Sequence, residues 1–412
     1  PIMDLRNGKD ELQFLKRNDL EELSTRGTAS PDHVIRIKSR PLILRETVWS
    51  KGREAIKQEL DKYAKEYKAM FERQAPLANQ PKTMLPTDPK NIWMEGIGLI
   101  GLGANAKAAS IAGDLAVQNA RVRAIGEDAG GFRPISEKDL FDCEYWSLEQ
   151  AKLGKGTPPK FQGKIVMITG GSGTIGFAIA EAFSKLGAQT VLVDKDETTL
   201  KKVITKLGHG HDYFPIDVTE ADAADQAMLA SIQKFGGLDI LVSNAGAAHA
   251  GPMLSISNDE LRSAFELNFF SHYSFSTAAA KILKNQNRGG QILFNISKQA
   301  VNPGKNFGAY GLPKATTFFL MRQLALELGS DGIRVNGVNA DRIRSGLLTD
   351  DFISSRAKSR GVSESEYMAG NLLNKEVTAE HVADAFTSLA CAESTTGHVM
   401  TVDGGNIEAS LR

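Results

Sequence analysis

A glycine-rich turn between an apolar strand and a helix constrains the fold of this chain more than any other feature. The turn reads Thr-Gly-Gly-Ser-Gly-Thr-Ile-Gly at residues 169–176, with a strand predicted at residues 164–169 and a helix at residues 177–186. Glycines allow the tight turn and the close approach of helix to strand, and the helix N-terminus can bind a pyrophosphate. With a second strand at residues 190–193, the pattern predicts a βαβ unit that binds a dinucleotide; a purely structural turn is the alternative.

The residue that ends this second strand indicates which dinucleotide is bound. Asp194 lies eighteen residues after Gly176. A carboxylate there can hydrogen-bond the ribose hydroxyls of the adenosine and repels a 2′-phosphate, which favours NAD over NADP. Lys195 is the counter-argument, because its positive charge softens that repulsion.

Two further predicted strands, at residues 212–216 and 240–243, end in acidic, amide or small residues. The carboxyl ends of parallel strands meet at one edge of a sheet, so we expect these residues to face the cofactor, although a plain strand-end turn is the alternative at each. The cofactor contacts predicted from these patterns are Gly170, Ser172, Gly173, Thr174, Ile175, Gly176, Asp194, Asp217, Val218, Asn244, Ala245 and Gly246.

A candidate proton-transfer centre follows the predicted strand at residues 291–296. Tyr310 and Lys314 are four residues apart and share one face of a helix, and Ser297 lies thirteen residues before Tyr310. A close cation favours the phenolate, so we expect the pKa of Tyr310 to lie below its reference value near 10. The serine hydroxyl can polarise a substrate oxygen. A surface helix with ordinary Tyr and Lys is the alternative.

Other polar residues carry weaker signals. Asn268 lies in an apolar helix predicted at residues 259–280 and needs a hydrogen-bond partner or a water. His209 and His211 have the spacing of metal ligands, but they lie in a glycine-bearing loop without a third ligand nearby. We interpret that loop as solvated and predict no metal site.

Length and composition narrow the class of protein. The 412 residues suffice for two or three domains, and 49 basic residues balance 49 acidic ones, so nothing favours nucleic acid or a membrane surface as a partner. Cys143 and Cys391 are the two cysteines, and the first thirty residues carry charges throughout without a signal-peptide core. We expect a cytoplasmic protein. Because the chain opens with Pro1 rather than Met, a processed or truncated product is one interpretation and a cloning remnant is another.

The first part of the chain differs from the rest. Residues 1–159 contain charged helical stretches, including an amphipathic pattern at residues 46–74, but no clear strand–helix alternation. A linker bearing glycine, lysine and proline at residues 154–159 places the domain boundary between 1–159 and 160–412. We therefore predict a mainly helical N-terminal segment.

A second glycine cluster lies in this segment. Gly98, Gly101 and Gly103 follow a short apolar run and precede an alanine-rich helix at residues 105–122. Their spacing is wrong for Gly-x-Gly-x-x-Gly, and no acidic residue ends a following strand. We interpret the cluster as a strand-to-helix turn rather than a phosphate site.

From residue 161 onward the chain resembles the short-chain dehydrogenase/reductase family. The motifs that carry the resemblance are residues 169–176, residues 244–246, Asn268, Ser297, Tyr310, Lys314 and the ending Val402-Asp403-Gly404-Gly405. The resemblance implies an α/β fold of Rossmann type, a single doubly wound parallel sheet of about seven strands.

The same resemblance implies a role for each matching residue. Tyr310 would be the acid/base, and Lys314 would hold the nicotinamide ribose and lower the pKa of the tyrosine. Ser297 would orient the substrate oxygen, and Asn268 would hold a relay water. Cofactor contacts of Tyr310, Lys314 and Ile343 are implied as well. The chain departs from the family pattern at Thr174, where a glycine is usual, and at Ala340-Asp341, where Pro-Gly is usual.

Nearly the whole chain is similar to the bifunctional rhamnulose-1-phosphate aldolase/alcohol (lactaldehyde) dehydrogenase family. The resemblance rests on residues 24–33, 96–103, 145–150 and 372–377. In that family a zinc-dependent class II aldolase domain precedes the dehydrogenase. No His-x-His pair precedes His33 here, so we expect only the tail of the aldolase module, a capping or packing role for His33, and no aldolase activity.

Three functional hypotheses remain. The first is an NAD-dependent dehydrogenase, forming a dimer or tetramer, that acts on a small alcohol or aldehyde such as lactaldehyde or a deoxy-sugar derivative. The second is zinc-dependent aldolase activity in a longer parent protein, and the third is a non-catalytic NAD-binding module. The substrate is left open because the predicted lid, residues 341–374, is a loop-and-helix region whose shape does not follow from the sequence. In that region Arg342 and Arg344 would either grip an anionic substrate or point outward into solvent.

Overall fold

A computed structural model describes residues 1–153, 156–248, 250–346 and 348–406. Gly154 and Lys155 of the predicted linker lie outside the described residues, and so does Leu347 of the predicted lid. Within the described ranges, no helix has both the length and the apolar character required to cross a membrane.

The first structural unit comprises Pro1–Pro159 with Lys234–Gly236. Its described residues contain the strands β1 (Ile2–Arg6), β2 (Leu42–Leu44), β3 (Asn91–Met94) and β4 (Gly98–Gly103). Its helices are α1 (Lys9–Phe14), α2 (Leu20–Ser24), α3 (Val34–Ile37), α4 (Glu46–Trp49), α5 (Arg53–Gln74), α6 (Ala106–Asp128), α7 (Glu137–Glu144) and α8 (Ser147–Ala151). The helices were expected, whereas the only strand implied by the sequence was one leading into the glycine cluster. The four strands form a sheet in the order β1-β4-β3-β2.

The glycine cluster of this unit lies within strand β4 rather than in a turn. Helix α6 packs so closely on the strand that a Cβ atom at Gly101 would lie 2.2 Å from the backbone nitrogen of Gly113, and one at Gly103 would lie 2.2 Å from that of Ala109. The glycines are therefore explained by the approach of a helix to a strand.

The second unit comprises Lys160–Gln233 and Gly237–Arg412. Its described strands are β5 (Ile165–Thr169), β6 (Gln189–Asp194), β7 (Asp212–Pro215), β8 (Ile240–Ser243), β9 (Gly290–Asn295), β10 (Ile333–Ala340) and β11 (Val399–Val402). The helices that follow β5 along the chain are α9 (Thr174–Lys185), α10 (Glu197–Leu207), α11 (Ala223–Phe235), α12 (Asn258–Phe265), α13 (Ser271–Gln286), α14 (Gly308–Leu328), α15 (Asp350–Ser359), α16 (Glu364–Met368) and α17 (Ala379–Cys391).

These strands form one parallel sheet, seven-stranded in the described part of the chain, in the order β7-β6-β5-β8-β9-β10-β11. The predicted doubly wound sheet is confirmed. The strand order reverses between β5 and β8, and ligands of such folds bind at the carboxyl ends of the strands beside this switch point. The turn at residues 169–176 follows β5 and therefore lies at that place.

The core of the second unit lies where helices α9 and α17 cover the sheet. Val166 and Ile168 of β5, Phe183 of α9 and Phe386 of α17 are fully buried in it. Strands that are covered on both faces consist of continuous apolar residues, and the burial of every residue of β5 fits that rule.

Candidate active site

Helix α14 presents Tyr310 and Lys314 on one buried face. Tyr310 is 8% exposed and Lys314 is 2% exposed, and the ammonium nitrogen lies 5.9 Å from the centre of the tyrosine ring. Ser297 directly precedes a short 3₁₀ helix, Lys298–Ala300, and its hydroxyl hydrogen-bonds Tyr310. The structure thus brings the three predicted residues together.

Burial controls the ionisation of this pair. It raises the pKa of Tyr310 to about 12, an effect that the hydrogen bond from Ser297 offsets only in part. Burial also lowers the pKa of Lys314 to about 7. The expectation that Lys314 would depress the pKa of Tyr310 is wrong for this structure, because loss of hydration disfavours both charged forms.

Lys314 is held by groups on two other elements. Its Nζ donates to the carbonyl oxygen of Asn295 at 3.1 Å and lies 3.2 Å from Nε2 of His272. His272 in turn has its Nδ1 2.6 Å from the hydroxyl of Ser243. Sequence reasoning missed His272; the available signal was a histidine on the apolar helix that carries Asn268, four residues after it.

Asn268 lies in a π-helical turn, Glu266–Phe270, between α12 and α13, rather than in one continuous α-helix. Its fully buried amide accepts from the backbone nitrogen of Ala247 at 3.2 Å and donates to the carbonyls of Ala247 at 2.9 Å and Ala264 at 3.1 Å. The backbone carbonyl of Asn268 accepts from the hydroxyl of Thr317 at 2.7 Å. The side chain therefore fixes the loop after β8, as the expected need for a partner requires.

The glycine turn has the shape of a phosphate cradle. Gly170 has φ +66°, and a Cβ atom there would lie 2.9 Å from the Cα of Ala245. A Cβ atom at Gly176 would lie 2.1 Å from the carbonyl oxygen of Gly170. Thr174, the departure from the family pattern, is the exposed first residue of α9. These features fit a dinucleotide pyrophosphate at the N-terminus of α9.

Hydrogen bonds between strand ends align the edge of the sheet beside this turn. Asn295 donates to the side-chain oxygen of Asn244 at 2.8 Å, and Asn244 donates to the carbonyl of Thr169 at 2.9 Å. The hydroxyl of Thr169 accepts from the backbone nitrogens of Asn244 and Ala245. Asn295 and Thr169 were not predicted as site residues, although Thr169 ends one predicted apolar strand and Asn295 is the penultimate residue of another.

The charged residues after β6 and β7 have different partners. The Asp194 carboxylate accepts from the backbone nitrogen of Ser172 at 3.1 Å, which joins it to the glycine turn. Lys195 has its Nζ 3.6 Å from Asp217. Asp217 also accepts from the backbone and hydroxyl of Thr219, directly after the buried Val218.

The loop after β10 is fastened to neighbouring protein groups. Arg342, at φ 53°, donates to the carbonyl of Tyr367 at 2.7 Å and stacks on that ring. Arg344 bonds Glu376 and Asp350, each at 2.7 Å. Ile343 between them is 6% exposed and belongs to the core. Both guanidinium groups therefore bind this loop and the helices that follow it.

Two of the histidines considered as metal ligands, His33 and His211, bond polar protein groups, whereas His209 is exposed. His33 has its Nδ1 3.2 Å from the amide nitrogen of Asn119. His211 is partly buried and bonds Ser184 and Thr190, so the expectation of a solvated loop is wrong for this residue. Across the described ranges, no three or more His, Cys, Asp or Glu side chains are grouped so that they could hold a metal ion.

Comparison with known proteins decides the family. Residues 171–406 match the family model described as enoyl-(acyl carrier protein) reductase. Short-chain dehydrogenase reductase 3b of Arabidopsis thaliana is 31% identical over 252 residues, which cover 60% of this chain and 96% of that protein. The chain belongs to the short-chain dehydrogenase/reductase family. It is therefore an oxidoreductase.

Solved structures support the assignment of this short-chain dehydrogenase/reductase. A 3-ketoacyl-(acyl-carrier-protein) reductase from Brucella melitensis, complexed with NADH, is 26% identical with a TM-score of 0.53 and covers 59% of this chain and 98% of its own. A short-chain type dehydrogenase/reductase from Mycobacterium ulcerans is 28% identical with a TM-score of 0.55 and covers 61% and 91%.

The first part of this short-chain dehydrogenase/reductase matches a different family model. Residues 1–153 match the model described as class II aldolase, second domain. An uncharacterized oxidoreductase of Bacillus subtilis (strain 168), YuxG, is 30% identical over 417 residues, which cover 96% of this chain and 60% of that protein. The chain thus fuses an aldolase-type segment to a dehydrogenase, and it spans 60% of the length of this relative.

Proposed function

We propose that this chain is an NAD-dependent dehydrogenase acting on a small hydroxy-aldehyde or alcohol, such as lactaldehyde or a deoxy-sugar derivative. The observation that carries the proposal is the cluster of Tyr310, Ser297 and Lys314 in the unit whose glycine turn lies at the switch point of the sheet. Such a cluster supplies a proton donor and acceptor beside a dinucleotide site.

The residues present fit a nicotinamide cofactor. The glycine turn and the N-terminus of α9 would hold its pyrophosphate, Asp194 its adenosine ribose, and Lys314 its nicotinamide ribose. When bound, the cofactor supplies the hydride donor or acceptor. The proposed complex with NADH parallels that of the reductase from Brucella melitensis.

The side chains of this protein provide the remaining chemistry. Ser297 orients the substrate oxygen by a hydrogen bond, and the phenol of Tyr310 gives that oxygen a proton in carbonyl reduction. In alcohol oxidation the tyrosine takes the proton back. Because burial raises the pKa of Tyr310 to about 12, the phenol is protonated at neutral pH and ready to act as an acid.

The choice of NAD over NADP rests on the arrangement of charges after β6. Lys195 pairs with Asp217 at 3.6 Å, and Asp194 is tied to the turn through Ser172. The lysine that could have neutralised Asp194 is thus engaged with another carboxylate. The charge of Asp194 then opposes a 2′-phosphate.

The substrate class is supported by the fusion of the two segments. The match of residues 1–153 to a class II aldolase domain fits the resemblance to bifunctional rhamnulose-1-phosphate aldolase/alcohol dehydrogenases. In such a pairing, the aldehyde released by an aldolase is the substrate for the dehydrogenase.

A cofactor-linked screen tests the proposal. Purified protein is given NAD or NADP with a panel of alcohols, or the reduced cofactors with a panel of aldehydes, and cofactor absorbance is followed. We expect turnover of small hydroxy-aldehydes with NAD and NADH. Binding of NADH without turnover of any compound would instead support a non-catalytic module.

The aldolase match favours a second candidate, zinc-dependent aldolase activity in a longer parent protein. His33, bonded to Asn119, does not form a zinc site with the other residues described, so we derive no aldol step. Zinc analysis of the purified protein, together with an assay for cleavage of a ketose 1-phosphate, tests this candidate. Stoichiometric zinc with cleavage would support it.

A further inference from the structure

A buried hydrogen-bonded row connects the sheet to the lysine of the site. It runs from Ser243 at the end of β8, through His272 on α13, to Lys314 on α14, with contacts of 2.6 Å and 3.2 Å. Ser243 and His272 are each 1% exposed, and Lys314 is 2% exposed. Nothing in the roles assigned so far requires a histidine at this place.

The contacts determine the protonation of the imidazole. In its charged form Lys314 has three donors and no acceptor, so Nε2 of His272 then accepts from the ammonium group and carries no proton. The proton then lies on Nδ1, which faces the hydroxyl of Ser243; the backbone of Ala245 also hydrogen-bonds the ring. Burial, and secondarily the charge of Lys314, hold the pKa of His272 well below its ordinary value, so the ring stays neutral.

The surroundings of Lys314 contain few groups that stabilise a positive charge. The side chains and carbonyls that face it are His272 from α13, Tyr310 from its own helix, and the carbonyl of Asn295 from β9. Among the residues described, no carboxylate shifts the ionisation of either Lys314 or His272. A lysine buried without a counter-ion depends on neutral acceptors to remain charged.

We propose that His272 is a positioning residue for Lys314, whose Nε2 lone pair holds the ammonium group toward the cofactor ribose and favours its charged form. The inference rests on the proposed dehydrogenase function. It assigns no proton transfer to the imidazole. A packing role is the alternative, and it requires only the volume of the ring.

Two substitutions separate these roles. His272→Leu removes the acceptor and keeps an apolar side chain, whereas His272→Gln supplies an amide oxygen that can accept from Lys314. Loss of one hydrogen bond to a charged group corresponds to about a tenfold effect or more. In both proteins the affinity for NADH should fall as the pH rises and Lys314 loses its proton. We expect the midpoint of this fall to lie about one pH unit lower in the Leu variant than in the wild type, because its lysine loses the proton more easily. The Gln variant should keep the wild-type profile.

Fluorescence titration with NADH across pH measures this effect without any substrate. Failure of the wild type to bind NADH contradicts the proposed function, whereas binding with the same pH profile in wild type and Leu variant overturns the role of His272. Equal changes in the Leu and Gln variants also overturn it, since they indicate packing alone. If the Leu variant does not fold, His272→Asn, whose amide is too short to reach Lys314, replaces it.

Discussion

At the scale of single residues, burial has a larger effect on the pKa values of Tyr310 and Lys314 than the closeness of the two side chains. Tyr310 and Lys314 lie on one helix face, yet the pKa of the tyrosine is raised to about 12 and that of the lysine is lowered to about 7. Each group is therefore biased toward its neutral form. Protonated Tyr310 suits carbonyl reduction, whereas alcohol oxidation must overcome this bias and should accelerate as the pH rises.

In the proposed function, the choice of cofactor depends on Asp194. We expect Asp194→Ala to raise kcat/KM with NADP relative to NAD by on the order of tenfold, because the repulsion of the 2′-phosphate is removed. Steady-state kinetics with both cofactors measure the ratio. Glu197→Gln is the control, since it removes an exposed negative charge from the following helix. A wild-type protein that already prefers NADP would contradict the assignment.

At the scale of elements, the helices after β10 are attached to the loop that begins at Asp341. Arg342 bonds the carbonyls of Tyr367 and Gly370, and Arg344 bonds Glu376 and Asp350. Helices α15 and α16 share a small apolar cluster that contains Ile353 and Tyr367. Through these contacts the two arginines hold the predicted lid to the loop after β10.

Substitution of Arg342 distinguishes a structural role in the lid from binding of an anionic substrate. We expect Arg342→Ala to raise KM up to about tenfold, and equally for neutral lactaldehyde and an anionic hydroxy acid, because hydrogen bonds to carbonyls are lost. Arg342→Lys should behave like the Ala variant, since lysine lacks the planar group that stacks on the Tyr367 ring and holds the donor nitrogen at both carbonyls. A selective loss on the anionic substrate, restored by Lys, would show instead that the guanidinium binds substrate.

The elements that sequence predicted well are those with local signals. Glycine punctuation and apolar runs located β8 at residues 240–243 and the turn after β5, because both depend on neighbouring residues. The sheet of the first unit was missed, since β2 has three residues and β1 pairs with the distant β4. His272 was missed for the same reason: its partner Lys314 is 42 residues away.

At the scale of the whole molecule, the chain consists of two units with separate cores. One core contains Trp93 and Leu99 of the aldolase-type segment, and the other contains Ile168 and Phe386 of the dehydrogenase.

His211 links α9 to β6 in the second unit, where its Nδ1 accepts from the backbone nitrogen of Thr190 at 3.2 Å. Protonation of Nδ1 would remove that hydrogen bond.

Stability should therefore fall on acidification. Burial, and to a lesser degree His209, lower the pKa of His211 from 6.5. Because the unfolded chain binds this proton more readily, the contribution of His211 is fully present above pH 6.5 and is lost as the pH falls through the folded pKa. We expect the melting temperature of the dehydrogenase unit to depend less on pH below this value in His211→Gln than in the wild type.

Calorimetric scans at several pH values measure that dependence. His398→Gln is the control, because it replaces an exposed histidine of the same unit. Identical pH dependence in the wild type and both variants would show that His211 does not contribute to the loss of stability at acidic pH.

The proposed dehydrogenase function depends most directly on Tyr310. Turnover and NADH binding are measured for Tyr310→Phe and for the control Tyr273→Phe, which makes the same change at a tyrosine that is 48% exposed. We predict that Tyr310→Phe lowers kcat by on the order of 10²–10⁴-fold while NADH binds with nearly wild-type affinity, because only the proton-transferring hydroxyl is lost. The control should retain full activity. Unchanged turnover in Tyr310→Phe would contradict the assignment of this cluster as the active site.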